Sequence, residues 1–198
     1  MQMSSKPKTP TARRQLLTCG LLCALAATLM LLGHAEPRAS SLVVGLPLWQ
    51  QGVISLAFAA CAAAVASIAL AIPRLRQAFS VPGGIRDIDL SGSKPLLIGL
   101  AAGVGEEFLF RAALQPLLGL WWASSIFALA HVRTAAFADG SVKKFAYLAN
   151  VFLAGVMLGL VYQNIGLLAA VLIHATIDVV SLASLHRLKA PDLAAPAT

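Results

Sequence analysis

The chain has 198 residues, 59% of them hydrophobic and 12% charged, with a mean hydropathy of +0.81 and a formal net charge of +7. A water-soluble domain of this length needs far more polar surface, so the composition indicates an integral membrane protein. It also argues against a nucleic-acid partner, because the lysines and arginines lie between apolar runs, where membrane proteins keep them, and not on one face.

Residues 1–15 read as a basic cytoplasmic tail carrying Lys6, Lys8, Arg13 and Arg14. Residues 16–33, LLTCGLLCALAATLMLLG, are long enough to span a bilayer. The basic start and the small residues that follow also fit a signal peptide, and a retained span is the expectation. Cys19 and Cys23 share a helical face with no histidine or acid beside them, and read as buried, inert thiols. A loop over 34–49 leads to a second span at about 50–72, closed by Pro73. The linker that follows holds Arg74, Arg76, Arg86 and Lys94 and a Pro-Gly-Gly turn at 82–84. Apolar segments then run over about 95–118, 120–137, 145–163 and 165–185. The predicted fold class is all-α, a polytopic bundle of about six transmembrane helices. Residues 16–94 would supply two leading helices and a cytoplasmic linker, 95–187 a four-helix core, and 188–198 a cytoplasmic tail.

Charge placement supports this count. With the N-terminus cytoplasmic, every lysine and arginine except Arg38 and Arg111 falls on the inner side, which also leaves the C-terminus inside. The expected location is therefore the membrane itself, the cytoplasmic membrane of a prokaryote. Trp49, Trp121, Trp122 and Tyr162 fall at the predicted outer ends, where an interfacial aromatic belt sits. The pairs Gly99–Gly103 and Gly155–Gly159 form GxxxG patterns that let helices approach closely.

Ionisable side chains inside a membrane each cost roughly 2.5–3.5 kcal/mol on insertion scales and are therefore candidates for function. Here they are Glu106, Glu107 and Arg111 in the third segment, His131 in the fourth, and His174 and Asp178 in the sixth. Counted at about 1.5 Å per residue from the helix ends, Glu106, His131 and His174 can meet in one layer of the inner half. Glu107 and Arg111 are four apart and suit an ion pair, whereas Glu106 points about 140° away from Arg111. This phase predicts Glu107–Arg111 as a self-neutralising strut and Glu106 as the free group. His174 and Asp178 are also four apart, so Asp178 could orient His174 or stabilise it as an imidazolium. A carboxylate and two histidines in a protein-lined cavity suit activation of water: Glu106 takes the proton, His131 helps to hold the water, and His174 faces the oxyanion.

Three motifs stand in order in apolar segments: EEFLFR (Glu106 to Arg111), FALAH (Phe127 to His131) and HATID (His174 to Asp178). They resemble the EExxxR, FxxxH and third histidine-containing motifs of the CPBP family, the type II CAAX prenyl endopeptidase-like intramembrane proteases, also called the Abi family. The resemblance covers about residues 95–187 and implies peptide hydrolysis within the membrane, on a peptide or membrane-protein substrate. It implies catalytic roles for Glu106, His131 and His174, with Asp178 assisting and with Glu107, Arg111 and Phe127 in support. Prenyl-processing members usually carry Asn at the position of Asp178. Asn can donate a hydrogen bond, whereas an ionised Asp can only accept one, so Asp178 must be protonated or act behind His174 as its partner, and the second is the expectation. The family implies no required cofactor. Should a divalent metal such as zinc act, Glu106, His131 and His174 would hold it. Two other classes stand beside the protease: a non-catalytic adaptor that binds peptide or partner helices, and a proton-coupled transporter, which the lack of an internal repeat disfavours.

Overall fold

A computed structural model describes residues 12–33, 45–72, 90–132 and 141–193, with the backbone alone for Ser141, Lys143 and 185–193. The expected basic residues before position 12, most of the loop expected over 34–49, the linker over 73–89, the end of the segment expected to reach 137 and the tail beyond 193 lie outside the described residues. The described residues form helices α1 (Ala12–Leu32), α2 (Leu48–Ala71), α3 (Lys94–Glu107), a π-helical segment (Phe108–Leu114), α4 (Gln115–Ala130), α5 (Ser141–Asn164) and α6 (Leu167–Leu193), and no strand. α6 continues past the end expected near 185, and α5 starts before the expected 145.

Five helical stretches are long and apolar enough to cross a membrane, and the protein is an integral, multi-pass membrane protein. One of them, Lys94–Ala130, has 37 residues. Drawn out straight it would measure about 55 Å, against roughly 30 Å of hydrocarbon. It is not straight. Gly119 adopts φ +79°, ψ 168°, a region open essentially to glycine alone, and the chain reverses there. The reversal brings the Phe110 and Phe127 rings to 5.1 Å between centroids. The stretch is thus two antiparallel arms meeting at the predicted break between 118 and 120, consistent with about six rods.

The π-helical segment has a cause in the sequence. Pro116 cannot donate to the carbonyl one turn back, and its ring would strike it, so the preceding helix widens. The backbone N–H of Gln115 correspondingly donates to Phe110 O, five residues back.

Several turns gather at one end of the bundle. Gly33, after α1, sits beside Leu117, and Leu46 N–H donates to Ile165 O at 2.8 Å. Gln51 of α2 pins the start of α6: its Oε1 accepts from Ala169 N–H at 3.1 Å and its Nε2 donates to Leu46 O at 2.7 Å. Trp49, Trp121 and Trp122 are exposed near this end, as an aromatic belt requires. Tyr162 differs from expectation, being buried in the core with Leu109, Phe110 and Val171, because its face of α5 points into the bundle. The cysteines also differ, Cys19 and Cys23 being half-buried and Cys61 exposed on the outer face of α2.

Both GxxxG patterns lie at helix crossings. A Cβ at Gly103 would come within 2.8 Å of Val171 O and 3.0 Å of Ala175 N, so α3 and α6 touch backbone to backbone. Gly155 and Gly159 instead make room on α5 for side chains, those of Ser124 and Phe127 at the first and of Leu120, Gln115 and Arg111 at the second. Gly103→Leu should therefore lower stability by about 1–3 kcal/mol or more through overpacking. Gly52→Leu, where nothing lies within 4 Å, should leave it unchanged. Thermal unfolding of the two purified variants in one detergent checks the contrast.

Candidate active site

Glu106 and Glu107 end α3 and point to different sides of it. Glu107 is wholly buried. Its Oε2 accepts from Arg111 Nε–H at 3.1 Å, and both side chains are fully excluded from the surface. The ion pair predicted from the four-residue spacing is thus present. Glu107 does more than pair with Arg111, however: its Oε1 accepts from His174 Nδ1–H at 2.7 Å. Here the structure corrects the expectation that Asp178 stands behind His174. The ring nitrogen turned away from Glu106 is held by Glu107 of α3. Asp178 Oδ2 lies 3.8 Å from the opposite nitrogen, Nε2, the one that faces Glu106. Helical spacing within α6 gave no sign of this, because the contact joins residues 67 apart.

His131 ends α4 and presents its Nδ1 to Phe127 O at 2.8 Å. A carbonyl only accepts, so Nδ1 carries a hydrogen and Nε2 is the nitrogen turned towards Glu106. That Nε2 lies 3.7 Å from Glu106 Oε2. His174 Nε2 lies 3.9 Å from the same oxygen. Two imidazole nitrogens on different helices therefore converge on one carboxylate oxygen, which is buried and without a direct hydrogen-bond partner. These separations exceed a direct hydrogen bond and suit groups that share a small polar molecule between them.

Phe127 occupies the middle of this arrangement. Its ring centroid is 4.7 Å from that of His131 and 6.0 Å from that of His174, and the Arg111 guanidinium stands 5.5 Å over its face. Phe127 thus lies between Arg111 and the two imidazoles. Accessibility divides the cluster in the same way: Glu107 and Arg111 are sealed, while Glu106, His131 and Asp178 keep part of their surface open (17%, 24% and 34% of the side chain).

Two residues near the site lay outside the sequence reading. Gln115 is buried, accepts from Arg111 Nη1–H at 3.1 Å and donates to Gly159 O at 3.1 Å. Its signal in the sequence is another step of four beyond Glu107 and Arg111. Half-buried Tyr147 of α5 lies within electrostatic reach of Glu106 and Asp178. No spacing rule links it to them. The set named for a metal does not close into a ligand cage: among the described residues no group of three or more His, Cys, Asp or Glu side chains is arranged to hold an ion.

Arg111→Lys should destabilise the bundle although charge is conserved. A single ammonium cannot reproduce the guanidinium contacts to both Glu107 and Gln115. Arg111→Ala, which strips the buried carboxylate of its cation, should cost about 3–5 kcal/mol. Thermal unfolding in detergent, followed by circular dichroism, should rank wild type above Arg111→Lys and Arg111→Lys above Arg111→Ala.

Residues 93–180 match the family described as type II CAAX prenyl endopeptidase, Rce1-like. Glu106, Glu107, Arg111, Phe127, His131, His174 and Asp178 all fall inside the matched stretch. No curated protein and no solved structure matches the chain.

Proposed function

With residues 93–180 forming a domain of the Rce1-like, type II CAAX prenyl endopeptidase family, we propose that the chain is an intramembrane endopeptidase in which Glu106 and His131 activate a water molecule. The observation that carries this reading is the convergence of His131 Nε2 and His174 Nε2 on the single unpartnered oxygen Glu106 Oε2, at 3.7 and 3.9 Å.

Both Glu106 Oε2 and the bare Nε2 of His131 accept hydrogen bonds, so a water between them donates one hydrogen to each and turns a lone pair outward. Glu106 removes a proton as the water oxygen bonds to the scissile carbonyl carbon, giving a tetrahedral oxyanion. The same proton then passes to the leaving nitrogen, the C–N bond breaks, and an acid and an amine depart. His174 acts on the oxyanion. Because its Nδ1–H is committed to Glu107, a hydrogen on Nε2 makes the ring an imidazolium, whose charge the flanking Glu107 and Asp178 offset. A charged donor held in a site with little water stabilises developing negative charge strongly. Asp178 steadies that Nε2–H until the substrate carbonyl oxygen takes its place.

The substrate class is a peptide or membrane protein presented within the bilayer. The distribution of lysine and arginine supports a pocket in the inner half with both termini cytoplasmic. Residues 95–187 would be the catalytic core. The leading helices brace it: α1 lays Cys19 against Gly105 and places Ala26 and Met30 in the core.

Glu106→Gln keeps the shape and hydrogen bonding of the side chain but removes the base, and should lower turnover by about 10²–10⁴-fold. Peptide termini in the membrane proteome, compared between cells expressing wild type and Glu106→Gln at matched levels, provide the test. Termini present only with the wild type establish proteolysis and identify a substrate. Identical termini under several growth conditions would turn the reading towards a peptide-binding adaptor.

A further inference from the structure

We infer that Gln115 is a positioning residue for the site, fixing the ring of His174 through Arg111 and Glu107 and anchoring all three to the backbone of α5 at Gly159. The inference rests on the proposed hydrolytic role of His174 for its kinetic consequence, and on geometry alone for its structural content.

The hydrogen bonds form one unbroken line. Gln115 Nε2–H donates to Gly159 O (3.1 Å), Arg111 Nη1–H donates to Gln115 Oε1 (3.1 Å), Arg111 Nε–H donates to Glu107 Oε2 (3.1 Å) and His174 Nδ1–H donates to Glu107 Oε1 (2.7 Å). The orientation of the amide follows from chemistry. Arg111 can only donate and Gly159 O can only accept, so the Gln115 oxygen must face the guanidinium. Every side chain in the line is buried, so no member can exchange a lost partner for bulk water.

Room for the line is built into the packing. A Cβ on Gly159 would stand 2.6 Å from Gln115 Oε1 and 3.2 Å from Arg111 Nη1. A glycine there therefore admits the amide and the guanidinium together. Pro116 and the π-helical turn ahead of it set the start of α4, and with it the place where Gln115 enters the bundle.

Arg111 needs the amide. Its Nη2 is already buried without a hydrogen-bond partner. Removing the Gln115 carbonyl would leave Nη1 in the same condition. The carboxylate of Glu107 is the acceptor the guanidinium already holds, and a guanidinium with free donors turns towards it to bond it by both arms. That rotation draws Glu107 Oε1 away from His174 Nδ1. The imidazole then loses the contact that aims Nε2 at Glu106.

The experiment uses the full-length chain in lipid nanodiscs, labelled with ¹⁵N-histidine. The hydrogen-bonded Nδ1–H resonance of His174 is assigned by its loss in His174→Gln. Gln115→Met removes the amide at nearly constant volume. Gln115→Asn keeps a buried amide but is one methylene short, so it cannot meet Arg111 and Gly159 at once, and it serves if the methionine variant fails to fold. The expected result is loss or broadening of the His174 Nδ1–H resonance, with kcat on a cleaved peptide lowered about 10–100-fold and KM little changed. A resonance unchanged in the folded variants, a fall in kcat with the resonance intact, or an effect confined to KM overturns the inference. If the wild type cleaves no peptide, the protease reading fails by itself, and the resonance still decides whether Gln115 positions His174.

Discussion

Everything at the site depends on one wholly buried carboxylate, that of Glu107. An ionised carboxylate inside an apolar bundle is tolerable only when its oxygens are met by strong donors. Glu107 divides its two oxygens between Arg111 Nε–H on its own helical strand and His174 Nδ1–H across the bundle. The first bond neutralises it, and the second makes it a tie between α3 and α6. The adjacent Glu106, one residue earlier and turned to the other side, is left with an oxygen that no side chain claims. Two neighbouring glutamates thus acquire opposite roles from helical phase alone, one closed and one open.

That tie has its length because the backbones are close. Gly99 and Gly103 let α3 lie directly on α6 beside Ala175 and Val179, one and five residues beyond His174. Gln51 holds the start of α6 in register by capping Ala169. A slip of one helical turn, about 5.4 Å, would carry His174 beyond reach of either glutamate. Small residues and buried polar bonds therefore act together: the glycines bring the helices near enough for hydrogen bonds, and the hydrogen bonds select one register among the sliding positions that a smooth apolar surface would allow.

The two histidines are held in different ways. His131 gives its Nδ1–H to a backbone carbonyl of its own helix, which orients the ring with Nε2 towards Glu106. His174 gives its Nδ1–H to a carboxylate on another helix, which ties the ring to α3. Both Nε2 atoms face the same oxygen of Glu106, so side chains from three different helices meet at one point.

Much of this was legible along the chain. Hydropathy and the distribution of charge announced a membrane bundle, Gly119 fell at the predicted break between the third and fourth rods, and the spacing of Glu107 and Arg111 predicted their pair, because each of these is a property of neighbours on one strand. Two conclusions needed the folded chain. Asp178 is as near to His174 in spacing as Arg111 is to Glu107, yet a residue 67 positions away takes the ring nitrogen meant for it. Gln115 carries no charge and stood out in no motif, yet it links Arg111 to α5. Helical periodicity determines which side chains share a face. Which of them meets a partner on another helix depends on the register and rotation of packed rods, and those are set by close glycine contacts and buried hydrogen bonds between segments distant in sequence.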